Sequence, residues 1–184
     1  LAGIGNIGLS EAAVVELNLD KMTRSAGMIA AGRCLDVKMG FHPQYKNVKA
    51  TFITLELFDS LKGKTDSKYE FMQYGHSLQN LSAANYKKGE ELILFLYPES
   101  QYGFTSPVGG PQGKLSIQTD SVTGKRSVIK GTYNTNIFKG MDLEKLSNGA
   151  NMNDQSIDYD DFKQLIKRLI EQQTNEQKNE GDAK

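Results

Sequence analysis

Short runs of alternating or wholly apolar residues dominate the middle of the chain and predict β-strands. Residues 28–39 (MIAAGRCLDVKM) are compatible with a strand. Residues 47–61 first alternate apolar and polar positions and then carry apolar residues at both odd and even positions. That change predicts that the second half of this strand is covered on both faces. Residues 40–46 (GFHPQYK) contain Gly40 and Pro43 and suit a hairpin loop.

Further strands are predicted downstream. Residues 67–75 form one, ended by Gly75, and the almost wholly apolar run 91–97 (ELILFLY) is predicted to be the central buried strand. Residues 113–120 and 125–131 alternate polar and apolar positions and predict a hairpin. Because no helical pattern separates them, these segments favour a small closed barrel of five or six strands, or a sandwich, over a doubly wound sheet.

Helical patterns occur at the two ends of the chain. Residues 9–25 predict one or two short helices, with Asn18 or Asp20 as a cap. Near the C-terminus, one apolar stripe at helical spacing predicts an amphipathic helix that closes the barrel, capped by Ser156 or Asp158. The stripe consists of Phe162, Leu165, Ile166, Leu169 and Ile170.

The predicted organisation is a flexible leader with a short helix over residues 1–18, a single domain over 19–171, and a disordered tail over 172–184. The tail is almost free of apolar residues, which favours disorder. The fold class is therefore mainly β within an α+β architecture.

Composition and charge narrow the range of partners. The 184 residues include 22 basic and 22 acidic side chains, so bulk charge attracts neither nucleic acid nor an anionic membrane. No apolar run approaches the roughly 20 residues that span a bilayer. The lone Cys34 excludes an intrachain disulfide and leaves the compartment open. The small, apolar opening segment fits the start of a mature exported protein or, equally, a truncated cytoplasmic one.

Two motifs suggest ligands, and their surroundings argue against both. Residues 3–8 match G-x-G-x-x-G, but no strand precedes them and no βαβ unit follows, so a flexible leader is the better interpretation. Residues 154–162 resemble the second half of an EF-hand, but Ala150 and Met152 occupy the first two ligand positions and Gln155 replaces the turn glycine. Neither a metal nor a cofactor is expected.

Aromatic side chains in the predicted loops are the main candidates for ligand binding. Rings at the end of a barrel can stack on sugars or bases or hold a peptide, although they also fold back as lids. The candidate residues lie in or beside loops 74–88 and 98–113: Tyr74, His76, Tyr86, Tyr102 and Phe104. Cys34 lies within an apolar strand pattern and is expected to be a buried, inert thiol.

Several segments in order resemble a domain found in uncharacterised exported bacterial and archaeal proteins. The likeness covers about residues 19–171 and includes a strand ending in Lys62-Gly63, Gly89 before an apolar strand, and the glycine-rich segment 108–113. The sequence departs from that pattern at residues 74–76, where such proteins often carry a more glycine-rich turn. The resemblance implies a small OB-like β-barrel and an exported, periplasmic or extracellular, location.

The expected function is that of a non-enzymatic binding or accessory module at the cell envelope, with a peptide, a glycan or a protein held by the loops. One alternative is a hydrolase or hydrolase-associated domain that uses His76 or His42. A second alternative is an OB-like nucleic-acid-binding protein, although we expect the protein to bind no nucleic acid. It would need a basic stripe built from lysines such as Lys46, Lys49, Lys62, Lys64, Lys68, Lys87 and Lys88.

Overall fold

Seven strands and three α-helices make up the fold of the described chain. The computed structural model describes residues 16–63, 66–75, 85–147, 149–152 and 154–182. In chain order the elements are α1 (Leu19–Ser25), β1 (Met28–Phe41), β2 (Lys49–Lys62), β3 (Lys68–Tyr74), β4 (Glu91–Leu96), β5 (Lys114–Thr119), β6 (Arg126–Ile129), α2 (Leu143–Ser147), β7 (Ser156–Asp158) and α3 (Tyr159–Asp182). Two single-turn 3-10 helices lie at Gly110–Gly113 and Thr132–Asn134.

All seven strands belong to one open antiparallel sheet. Their order is β3-β2-β1-β4-β5-β6-β7, so β3 and β7 are its end strands. The prediction of a mainly β domain with a C-terminal helix is confirmed. A closed barrel of five or six strands is not confirmed, because the sheet has seven strands and is open. The additional strand, β7, has only three residues, which is too short for a recognisable alternation of polar and apolar positions.

The apolar strand β4 is buried on both faces, as predicted for residues 91–97. Leu92, Leu94 and Leu96 point into one group of buried residues, which we call the inner core, with Ala30, Cys34, Ile53, Leu55 and Phe71. Ile93 and Phe95 point into the opposite group, the helix-side core. Alternation cannot show in a strand whose two faces are both covered, which explains the continuous run of apolar residues.

The helix-side core lies between the sheet and two helices. Helix α3 contributes Phe162, Leu165, Ile166 and Leu169, which confirms the predicted stripe, and α1 contributes Leu19 and Met22. Both helices begin at predicted caps. The Asn18 side chain accepts a hydrogen bond from the N–H of Lys21, and Asp158 Oδ1 accepts from the N–H groups of Asp160 and Asp161 at 2.9 and 3.1 Å.

Helix α3 is longer than its apolar stripe. It continues through Asp182, into the segment for which the sequence predicts disorder. Gln173 is buried beyond the apolar stripe and donates hydrogen bonds to Asp20 on α1, at 3.0 Å. The glycine-rich motif at 3–8 lies outside the described residues.

The β1–β2 hairpin is long and bent. Register shifts interrupt the pairing of the two strands at three places along β1, and such irregularities increase strand curvature. Gly32 lies where the strands approach most closely, since a Cβ atom there would be 2.4 Å from the carbonyl oxygen of Glu56. Only glycine fits at this position without a shift of backbone.

The segment after β4 returns to contact both β4 and β3. Pro107 forms an antiparallel bridge with Leu96, and Phe104 forms a parallel bridge with Met72. The N–H of Thr105 donates to the carbonyl of Met72 at 2.9 Å. The outer edge of β3 is therefore occupied at this point, and strands β1 to β4 curl around the inner core.

Replacing Gly32 with alanine is expected to destabilise the domain by about 1–3 kcal/mol, because the new methyl group must displace the backbone of β2. The free energy of unfolding in urea is the measurement. Gly131→Ala is the matched control, since no atom lies within 4 Å of a Cβ built at Gly131 and its φ of −80° suits alanine. Equal stability of the two variants would contradict the close approach.

Candidate functional site

Five aromatic side chains meet at one end of the sheet, and we call this group the aromatic site. His42 and Tyr45 come from the β1–β2 loop, Tyr74 ends β3, and Tyr102 and Phe104 lie in the loop after β4. The hairpin loop has the glycine and proline that favour a turn, and Gly103 adopts a φ of +74° that permits the tight turn between its aromatic neighbours.

The rings form a continuous chain of contacts. Tyr74 packs edge-on against Phe104 with centroids 5.7 Å apart, and Phe104 lies 5.2 Å from the His42 ring. His42 is 4.8 Å from Tyr45, which packs edge-on against Tyr102 at 5.6 Å. Edge-to-face pairs within this range are mutually stabilising, so the rings hold one another in place.

His42 is the buried centre of the site and connects its two loops. His42 is only 5% exposed. Its Nδ1 accepts hydrogen bonds from the N–H groups of Gln44 and Tyr45, each at 3.1 Å. Because Nδ1 accepts, the ring proton is on Nε2, which lies 2.9 Å from the carbonyl oxygen of Tyr102 and donates to it. Both nitrogens of the neutral imidazole are thus engaged with backbone groups.

The loop after β4 is also held by its own hydrogen bonds. The N–H of Ser100 donates to the carbonyl of Phe104 at 2.8 Å, and the N–H of Phe104 donates to Ser100 Oγ at 3.2 Å. The Thr105 hydroxyl donates to the carbonyl of Tyr97 at 2.6 Å. These bonds fix the backbone that carries Tyr102 and Phe104, so contacts within the chain itself hold these two rings in place.

The aromatic site contains three of the five residues selected from the sequence. Tyr74, Tyr102 and Phe104 lie in it, and His76 lies outside the described residues. The five selected binding residues do not include Tyr45, although it is one of the aromatic residues of the predicted loops, and the sequence suggested His42 only for the hydrolase alternative. Their membership of the site follows from their position beside β3. That position could be predicted only if the register of the β1–β2 hairpin were known, because the register decides where the hairpin loop lies.

Tyr86 lies in the inner core, apart from the aromatic site. Its ring packs edge-on against Phe71, and Lys114 Nζ lies 5.3 Å from the ring centroid. Burial, with a further contribution from Glu90, raises the pKa of Tyr86. The Tyr86 hydroxyl is buried and has no hydrogen-bond partner among the described residues. Its place is structural, between the core and the ion pair of Lys114 with Glu90 at 2.8 Å.

Cys34 is a buried thiol, as its strand pattern predicts. It is 1% exposed on β1, within the inner core. Burial raises the pKa of the Cys34 thiol, and the nearby Glu90 carboxylate raises it further. Both effects disfavour the thiolate, so the residue is a poor nucleophile.

The loop after β4, at residues 97–113, carries one carboxylate, Glu99. Tyr69 donates a long hydrogen bond of 3.5 Å to Glu99, and burial together with that carboxylate raises the pKa of Tyr69 to about 12.

Across the described residues, no group of three or more His, Cys, Asp and Glu side chains is arranged to hold a metal ion. None of the described helices combines the length and the apolar character needed to cross a bilayer.

No protein-family model matches the sequence, and no curated protein matches it significantly.

Replacing His42 with alanine is expected to lower the free energy of unfolding by about 1–3 kcal/mol, because two backbone N–H groups and one carbonyl lose their partner. His42→Asn is expected to fall between wild type and alanine, since its Oδ1 can replace Nδ1 but nothing reaches the Tyr102 carbonyl. Urea unfolding measures both variants. Equal effects of alanine and asparagine would show that the Nδ1 contacts contribute nothing.

The native Cys34 thiol is expected to react with Ellman's reagent about a thousandfold or more slowly than the unfolded chain, because reaction requires opening of the core. The measurement is the labelling rate with and without denaturant. A Cys34→Ala/Ser121→Cys variant, with its thiol in the exposed β5–β6 turn, is the control and reacts promptly in the folded state. Prompt native labelling of Cys34 would contradict its buried position.

Proposed function

We propose that this chain is a non-enzymatic binding module whose ligand lies against the aromatic site. The observation that carries the proposal is that Tyr45, Tyr74 and Tyr102 remain 45, 68 and 49% exposed in the folded chain. Scattered exposed apolar side chains are normal, but a contiguous group of large rings on fixed loops is typical of an interaction site. Tyrosine in particular contributes a large apolar face and a polar hydroxyl to a contact.

The rigidity of the two loops supports the same function. A site that is ordered before binding loses little conformational entropy when the ligand arrives. His42 joins the loops through Tyr45 and Tyr102, and Ser100 closes the loop around Phe104. These contacts involve the backbone of the loops and the buried His42, and the three tyrosines remain exposed.

Strand connectivity adds a further argument. We include in the proposal that β1 to β4 and the segment 104–107 form an OB-like unit, because that segment bridges β4 on one side and β3 on the other. In OB-folds, the loop between the first two strands and the loop between the last two bind oligonucleotides and oligosaccharides. The aromatic site lies on the corresponding two loops of this chain.

The state of His42 favours binding over hydrolysis. A general base needs a nitrogen that can reach a substrate or water, whereas both nitrogens of His42 are bonded to backbone groups in a residue 5% exposed. The proposal therefore gives His42 a structural role in holding the loops.

The proposed location is outside the cytoplasm, at the cell envelope. The resemblance of residues 19–171 to exported bacterial and archaeal domains supports it. A binding module there would hold a component of the envelope or a molecule arriving from the medium.

Screening of the folded protein against immobilised peptides, glycans and single-stranded oligonucleotides tests the proposal. We expect at least one member to bind wild type, and a Tyr74→Ala/Tyr102→Ala variant to bind it about tenfold or more weakly, because a stacked aromatic ring contributes about 1–3 kcal/mol.

Tyr133→Ala is the matched control, since Tyr133 is 60% exposed and lies outside the aromatic site. It is expected to bind as wild type does. Binding that survives in the double variant, or chemical conversion of the bound molecule, would overturn the proposed function.

A further inference from the structure

The loops of the aromatic site carry few charges. Segments 41–49 and 97–106 contain three ionisable groups besides neutral His42 and the tyrosines. They are Lys46, Lys49 and Glu99. Beside these charged groups and the tyrosines, the exposed polar side chains of the two segments are amides and a hydroxyl: Gln44, Asn47, Ser100 and Gln101. Uncharged donors and acceptors surrounding aromatic rings suit a ligand that is itself uncharged and rich in hydrogen-bonding groups.

The exposed tyrosines present both an apolar face and a polar group. Tyr45 contacts both His42 and Tyr102, and Tyr74 contacts Phe104. All three tyrosines keep about half or more of their surface exposed to solvent. A flat ring with a solvated hydroxyl at its edge matches a pyranose, which has C–H groups on its faces and hydroxyls around its rim.

We infer that the aromatic site binds a neutral chain of hexopyranose sugars, an inference that rests on the proposed function above. Sugar rings lie on Tyr74 and on the Tyr45–Tyr102 pair, and amides such as Gln44 and Gln101 exchange hydrogen bonds with the sugar hydroxyls. Because the rings form one continuous row, the ligand is an oligosaccharide, with more than one sugar in contact.

The charges around the site disfavour a nucleic acid. Each nucleotide brings a negative phosphate, and single-strand binding sites follow the backbone with several cations. The two loops offer Lys46 and Lys49, with Glu99 opposing them. Lys62, one of the lysines of the predicted basic stripe, instead donates a hydrogen bond from Nζ to the carbonyl oxygen of Thr23 at 2.7 Å.

The nearby strand edge disfavours an extended peptide. Peptides often bind by pairing with an exposed strand, which requires free backbone groups. Beside the aromatic site, the carbonyl of Met72 on β3 already accepts from the N–H of Thr105, and Phe104 bridges the same residue. A peptide cannot add to β3 at this point without displacing that segment.

Calorimetric titration with three neutral hexasaccharides tests the inference: cellohexaose, maltohexaose and N-acetylchitohexaose. We expect at least one to bind with a dissociation constant of about 1 mM or tighter. That affinity is expected to be the same in 50 and 500 mM NaCl, because binding a neutral chain releases no counterions.

Three variants assign the binding to the rings. Tyr74→Ala is expected to weaken binding about tenfold, because it removes a stacking surface. Tyr74→Phe is expected to weaken it only about three- to fivefold, because the ring remains and one neutral hydrogen bond is lost. Tyr133→Ala is expected to bind as wild type does.

A 12-residue oligothymidylate and an alternating valine–threonine hexapeptide are titrated in parallel. If either binds in a Tyr74-dependent manner and none of the sugars does, the sugar inference fails while the binding module stands. If no hexasaccharide binds, or if sugar binding is unchanged in Tyr74→Ala, the sugar inference is overturned. If any probe binds with an affinity that the aromatic substitutions leave unchanged, that result counts against the proposed function as well.

Discussion

The fold depends on the burial of one strand, β4, on both of its faces. Three leucines enter the inner core and Ile93 and Phe95 enter the helix-side core, so five consecutive side chains are removed from water. Each such burial contributes about 1.5–3 kcal/mol. Because the two cores share this strand, neither can form fully without the other. The curled β1–β3 sheet on one side and the helices on the other are joined through it.

The aromatic site is a consequence of the same strand. Where β4 ends at Leu96, the chain turns back along β4 and reaches β3, which brings Phe104 beside Tyr74. The β1–β2 hairpin extends beyond the inner core toward the same end, and His42 bonds to the returning loop. Three chain segments that are remote in sequence thus meet above the end of the inner core.

Most of the elements could be predicted from local patterns. The apolar run at β4, the helical stripe of α3 and the caps at Asn18 and Asp158 depend on neighbouring residues, and the structure has each of them. The glycines at 63 and 89 both have positive φ, as expected for strand boundaries. Local patterns could not predict whether the sheet closes into a barrel, because closure depends on pairing between strands distant in sequence.

The candidate site was only partly predictable for a similar reason. The sequence indicates which aromatic residues lie in loops, but which of them meet is decided by tertiary contacts. His42 and Tyr102 are 60 residues apart, and no local pattern connects them. Tyr86 lies between polar residues in the sequence, yet the curl of the sheet encloses its ring. The three-residue strand β7 is visible only through its pairing with β6.

The position of α3 also determines when this protein can complete its fold during synthesis. The sheet face that receives Phe162, Leu165 and Ile166 is assembled from strands made earlier, and the helix that covers it follows all seven strands in chain order. On the ribosome that face stays in contact with water until α3 has emerged. A nascent chain with such an exposed apolar face is prone to aggregate, and it is a natural client for chaperones at that stage.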